Sequence, residues 1–113
     1  MATRDDADQP GSAPRHVTLV GLHVHDDALY DEYRAGMSPL LEQYGGQFEY
    51  DVVVGQLLKS KDGALINRVF TISFPDAKTK ARFFSDPRYL AVREEFFDAA
   101  VSLVVTMGVL HRE

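Results

Sequence analysis

The 113-residue chain contains no cysteine and no tryptophan. Without thiols it can form no disulfide framework, no thiolate nucleophile and no Cys-ligated zinc or iron–sulfur centre. Long apolar runs are missing too. None approaches the roughly 20 residues that span a bilayer, so no membrane partner is expected. Basic charge is in deficit, with 12 Lys plus Arg against 17 Asp plus Glu, a net −5. That argues against nucleic acid as the main partner, because phosphate binding needs a concentrated basic surface. Lys59 and Lys61 have no basic patch behind them. Gly45-Gly46 precedes a strand instead of opening a helix, so it is not a phosphate loop, and no cofactor fingerprint occurs elsewhere.

What is present is ordinary for one soluble domain: 45% hydrophobic and 26% charged residues. Residues Met1 to Pro14 read MATRDDADQPGSAP. They lack an apolar core and carry acids, so neither a secretory signal nor a transit peptide is expected. Pro10, Gly11, Ser12 and Pro14 make residues 1–15 a flexible lead-in to a single domain over 16–113. The default location is the cytoplasm.

Along that domain, His16–His25 (HVTLVGLHVH) is short and β-branched and reads as a strand. Leu29, Tyr33, Met37, Leu40, Leu41 and Tyr44 recur at helical spacing, with Asp26 or Asp27 as cap and Gly45-Gly46 as terminator. Pro39 removes a backbone donor inside that helix and predicts a kink or restart. Gln47–Leu58 and Leu65–Phe74 read as a hairpin joined through Asp62-Gly63, with Gly55 as a candidate bulge. Asp76 and Asp86-Pro87 open two short helical segments. Ser102–His111 is the last strand. The order β-α-β-β-α-β is the split βαβ arrangement of α+β, ferredoxin-like folds, with a four-stranded antiparallel sheet.

Side chains alternate along a strand, so each strand has two faces. Val20, Leu22 and Val24 oppose Leu19, Gly21, His23 and His25. Phe48, Tyr50, Val52 and Val54 oppose Gln47, Glu49, Asp51 and Val53. Phe70, Ile72 and Phe74 oppose Val69, Thr71 and Ser73. Leu103, Val105, Met107 and Val109 oppose Ser102, Val104, Thr106 and Gly108. The first set of each pair is expected under the helices. The mixed second set is too apolar for a solvated sheet, which predicts a homodimer packed sheet against sheet. Leu57, Leu58, Leu65 and Ile66 near the hairpin tip are expected to grip the partner.

Tyr33, Tyr44-Gly45-Gly46, Phe74-Pro75, Phe84-Ser85-Asp86-Pro87-Arg88-Tyr89 and Arg93 come one after another in an order that resembles the domain of unknown function 1330 family (DUF1330). The resemblance covers about residues 16–111. It implies a ferredoxin-like protomer and a dimeric α+β barrel, and it implies no established reaction. The wider superfamily includes cofactor-free oxygenases, haem-degrading monooxygenases, chlorite dismutases and lactone isomerases. The haem-degrading members use a Trp that this chain lacks, and the chlorite dismutases are much longer. Where the family often has an acid followed by Gly in the second strand, this chain has Val54-Gly55.

The residues support three functional readings. In the first, a homodimeric barrel binds or transforms a small organic molecule without a cofactor, by monooxygenase- or isomerase-like chemistry. Its pocket is expected between the mixed sheet face and the helices, with His23, Tyr33, Tyr89 and Arg93 as polar residues. Tyr89 and Arg93 are one helical turn apart; Arg93 can clamp a carboxylate, and either tyrosine can donate to an oxyanion. In the second reading these groups only pack the core and set dimer register, in a non-catalytic binding or assembly module. In the third, His23 and His25 share a strand face and join Glu49 or Asp51 as a two-His-one-carboxylate metal site. His23 as a general base, and the two histidines as packed interface residues, are the other readings of that pair.

Overall fold

A computed structural model describes residues 15–110; the expected N-terminal lead-in before residue 15 and the strand end at His111 lie outside the described residues. The elements are β1 (His16–Val24), α1 (Asp27–Gln43), β2 (Gln47–Val53), β3 (Arg68–Phe74), α2 (Ala77–Phe84), α3 (Pro87–Val92), a wide π turn (Arg93–Phe97), a last helical turn α4 (Asp98–Ala100) and β4 (Val101–Leu110). The strands form one antiparallel sheet in the order β2-β3-β1-β4. This is the expected α+β, ferredoxin-like architecture, with the helices on one side of the sheet.

Local chemistry explains the helix ends. Asp26 caps α1 by accepting from the Leu29 amide at 3.1 Å, Asp76 caps α2 through Thr79 at 2.7 Å, and Asp86 caps α3 through Arg88 at 2.8 Å. Pro87 occupies the first turn of α3, where its missing N–H costs nothing. At the other end of α1, the Gly45 amide donates to Glu42 and the Gly46 amide to Leu41, both at 2.9 Å. That pair of bonds is a Schellman motif, and Gly45 supplies its left-handed residue at φ 71°. The restart expected at Pro39 does not occur: α1 runs unbroken through it, with Pro39 on the exposed side.

Beneath the helices, Val20, Leu22, Val24, Phe70, Ile72 and Phe74 meet Tyr30, Tyr33, Met37, Leu41, Phe83, Tyr89 and Phe97 in one core. The β1 and β3 faces are therefore as expected. Two other strands differ. In β2 the register slips between Phe48 and Tyr50, and Tyr50 donates its amide to the Thr71 hydroxyl at 3.0 Å. This bulge at Glu49 flips the rest of the strand. Tyr50 and Val52 turn to the open face and Asp51 turns under the helices. In β4, Thr106 lies opposite Val20 and Val104 opposite Leu22, so both share the helix side, while Leu103 and Val105 pair with His23 and Gly21 on the open side. Slips at Met107 and Ser102 break the simple alternation.

The expected hairpin is also shorter. Its strands stop at Val53 and start again at Arg68, and residues 54–67 form an irregular loop, with Gly55 outside any strand. Asn67 anchors the loop's end. Its amide donates to Leu22 at 2.8 Å, and its side chain both accepts from the Val24 amide and donates to the Val24 carbonyl at 2.8 Å. A single carboxamide thus prolongs the β1–β3 ladder by one step. The loop then folds against the open face: Ile66 sits over Gly21, where an added Cβ would come within 3.0 Å of it.

Candidate functional site

A cavity of about 250 Å³ opens between the sheet and the helices. Its floor is the helix-side row of the sheet: Thr18, Val20 and Leu22 from β1, Phe70 and Ile72 from β3, Phe48 from β2, and Val104 and Thr106 from β4. Its roof is Tyr33 and Met37 from α1, Lys80 and Phe84 from α2, Tyr89 from α3, and Arg93 and Phe97 from the π turn. The helices stop short of β4, which leaves Val104 half-exposed and the cavity open along that edge.

The polar end is built from three residues on three elements. The Tyr33 and Tyr89 hydroxyls share a hydrogen bond of 2.9 Å. Tyr33 is held by Phe97 at a ring-centroid distance of 4.8 Å, and Tyr89 by Phe83 at 4.7 Å and Phe84 at 5.2 Å. Burial, reinforced by the adjacent Tyr89 hydroxyl, pushes the Tyr33 phenol far above its ordinary value of 10.0. Burial also raises Tyr89, while Tyr33 and the Arg93 guanidinium beside it pull in the other direction. Both phenols are therefore neutral donors at neutral pH. Two hydroxyls with one mutual bond have two O–H protons between them, and one remains for a ligand.

Arg93 lies on the Tyr89 side because the two are one α-helical turn apart, its amide still donating to the Tyr89 carbonyl, and the chain widens into a π turn only from Arg93 onward. Such a turn inserts a residue and rotates the next stretch of helix about its axis. Here Arg93 and Phe97, at its two ends, both line the cavity wall, with the Arg93 guanidinium 5.0 Å from the Phe97 ring. Asp98 lies 3.7 Å from Arg93 Nε, a loose pair between two well-solvated side chains.

Alongside Phe48 and Phe70, a second cluster closes the flank. The Arg34 guanidinium stacks over Phe48 at 3.7 Å and bonds Asp51 at 3.1 Å, and Arg68 bonds the same carboxylate at 2.9 Å. Those guanidiniums, the Arg68 hydrogen bond foremost, hold the Asp51 carboxyl below its ordinary value. Asp51 is thereby committed to structure.

The sequence-derived candidates thus divide. Tyr33, Tyr89 and Arg93 come together on the cavity wall. His23 does not join them. It lies on the opposite face of the sheet, where its Nδ1 bonds the Leu65 carbonyl at 2.5 Å and ties down the 54–67 loop. The cavity itself lies on the greasy side of the sheet and not on the mixed side. His25 is exposed just beyond β1. The His23, His25 and Asp51 constellation is not assembled, because the β2 bulge turns Asp51 to the helix side; among the described residues no group of three metal-ligating side chains converges. Sequence reasoning missed Lys80, Thr18 and Thr106 on the cavity wall. The parity of β1 places Thr18 in the same row as Val20 and Leu22, which is the signal that could have found it.

Over residues 18–109 the chain matches the family described as domain of unknown function, DUF1330. No protein of curated function matches it in sequence. Among solved structures, a protein of unknown function from Rhodopseudomonas palustris superposes with a TM-score of 0.74 at 16% identity, covering 100% of this chain and 95% of that one. A hydroxynitrile lyase from Passiflora edulis superposes at 0.62 and 15% identity, over 88% of this chain and 95% of that one. A dimeric protein of unknown function with a ferredoxin-like fold, from Bacteroides fragilis, superposes at 0.55 and 10%, over 87% and 96%. At these identities the likeness establishes the fold alone.

Proposed function

The chain belongs to the DUF1330 family, and from that premise we propose that it binds a small, largely apolar organic molecule in the cavity between sheet and helices, without a cofactor. The observation that carries this reading is the hydrogen-bonded Tyr33–Tyr89 pair, with Arg93 beside it, set into a cavity whose remaining lining is mostly apolar. Burying two hydroxyls there is costly unless they bond each other or a ligand, and the arrangement leaves one donor unspent. That donor and the guanidinium suit a carbonyl or hydroxyl oxygen on which negative charge sits or develops. The volume lies below the usual range for drug-sized ligands, which points to a small molecule. The hydroxynitrile lyase among the structural neighbours is consistent with small-molecule chemistry on this fold.

One observation favours binding over turnover. The lining residues include no carboxylate and no imidazole, so among the described residues the cavity has donors and cations but no ordinary general base. We also propose that the working form is a homodimer. Tyr50 and Val52 are exposed on the open face, and Leu58 and Leu65 project from the loop that crosses it. A patch of this kind on a small domain calls for a partner, and a second copy is the economical one. A cytoplasmic location belongs to the same reading and rests on the lack of long apolar runs.

Native mass spectrometry of freshly purified protein tests both parts. The expected result is a dimer carrying a discrete small-molecule adduct, which disappears in Thr106→Trp, a substitution that fills the open edge of the cavity. An adduct unchanged in that variant places the ligand elsewhere and overturns the cavity assignment.

A further inference from the structure

Lys80 stands out among the cations of this wall. Arg34 and Arg68 share the Asp51 carboxylate, Arg88 pairs with Asp86, and Arg93 pairs loosely with Asp98. Lys80 reaches from α2 to the cavity floor and bonds only the Thr18 hydroxyl, at 2.9 Å, with no carboxylate in ion-pair range among the described residues. Thr18 is itself 2% exposed, on the helix-side row of β1. Holding a polar side chain there against the apolar floor has a cost that one hydrogen bond only partly offsets.

We propose that Lys80 and Thr18 form the anion anchor of the cavity, so that its ligand is a small apolar carboxylic acid. This rests on the cavity reading above and names the chemical class of its occupant. The donor count supports it. The ammonium has three N–H groups and spends one on Thr18; the threonine accepts that bond and keeps its own O–H. Three donors therefore remain where a carboxylate can take a charge-assisted bond from Lys80 and a second bond from Thr18. Two cations, Lys80 and Arg93, line the wall, and Lys80, the one without a carboxylate partner among the described residues, matches one negative charge better than the doubly charged phosphate group. No lining carboxylate repels the anion. The unspent donor of the Tyr33–Tyr89 pair then meets a second oxygen on the same molecule, so the ligand is an acid bearing a hydroxyl or keto group.

Methyl NMR titration of Val20, Leu22 and Val104 with 4-hydroxybenzoate, and with the neutral 4-hydroxybenzamide, tests the assignment. The expected result is about tenfold tighter binding of the acid, from one charge-assisted contact in a poorly solvated site. Lys80→Met should erase that preference, and Lys80→Arg should keep it. Thr18→Val, nearly isosteric, should weaken the acid more than the amide. A preference that survives Lys80→Met overturns the anchor yet spares the cavity. Equal affinity of acid and amide for the wild type overturns the anchor as well. If neither probe shifts these methyls, the cavity reading fails and takes the anchor with it.

Discussion

Removing one hydroxyl at a time from the tyrosine pair should destabilise the fold unequally and non-additively. Tyr33 is 5% exposed and Tyr89 2%, so neither hydroxyl can turn to bulk water when its partner is lost. In Tyr33→Phe the Arg93 guanidinium, one helical turn along, can swing to the remaining Tyr89 oxygen. The cost is then about that of one net hydrogen bond, roughly 1 kcal/mol. In Tyr89→Phe the Tyr33 hydroxyl keeps no partner of that kind, and the desolvation penalty of an orphaned group brings the cost to about 2–3 kcal/mol. The double variant orphans nothing, so it should cost about 1–2 kcal/mol, well below the sum of the singles. Urea unfolding of the four proteins gives the cycle directly. The pH dependence supplies a second readout. Both phenols are raised above 10.0 in the folded state, so folding retains protons that the unfolded chain gives up. The stability they contribute is complete below pH 10 and falls above it, by up to about 1.4 kcal/mol per pH unit for each phenol. Each substitution should remove one phenol's share of that slope. Costs additive within about 0.5 kcal/mol, together with an unchanged alkaline slope, would refute the shared hydrogen bond and the burial argument built on it.

Two further outcomes test the framework around the site. Asn67→Ala removes both side-chain bonds to Val24, whose own burial leaves its amide and carbonyl unsatisfied; thermal unfolding should show a loss of about 2–4 kcal/mol, and a loss under about 1 kcal/mol would mean that water replaces the amide. Val52→Asp places a charge on the exposed half of the open face, where the isolated protomer should tolerate it within about 0.5 kcal/mol. Sedimentation equilibrium should then find a monomer, and an unchanged dimer mass would remove this face from the interface.

The element order and its punctuation were legible residue by residue. Asp26, Asp76 and Asp86 cap the three helices, because a short carboxylate before a helical stretch satisfies orphan amides wherever the rest of the chain lies. Gly45-Gly46 ends α1 for an equally local reason, and the apolar spacing of β1 and β3 fixed which side meets the helices. Tyr33, Tyr89 and Arg93 could be suspected together from spacing and from the family resemblance. What escaped was everything that depends on one strand's register against another. The slips at Glu49, Ser102 and Met107 interrupt the alternation of faces. In β4 both faces are apolar enough that hydropathy cannot choose between them. His23 left the site for a different reason: its face was read correctly, but the cavity lies on the other one, under the helices.

The sequence by itself thus determined the number, order and ends of the elements and the greasy faces of β1 and β3. These are consequences of backbone sterics, capping and periodicity within a few neighbouring residues. Only the tertiary structure decided that Lys80 meets Thr18 across 62 positions and that Tyr33 meets Tyr89 across 56. It also decided that a π turn, unannounced by any residue type, follows Arg93 and ends at Phe97 on the same wall. Those contacts belong to helices docking on a bulged sheet. Their energies are set by shared burial between distant segments, which no local pattern encodes.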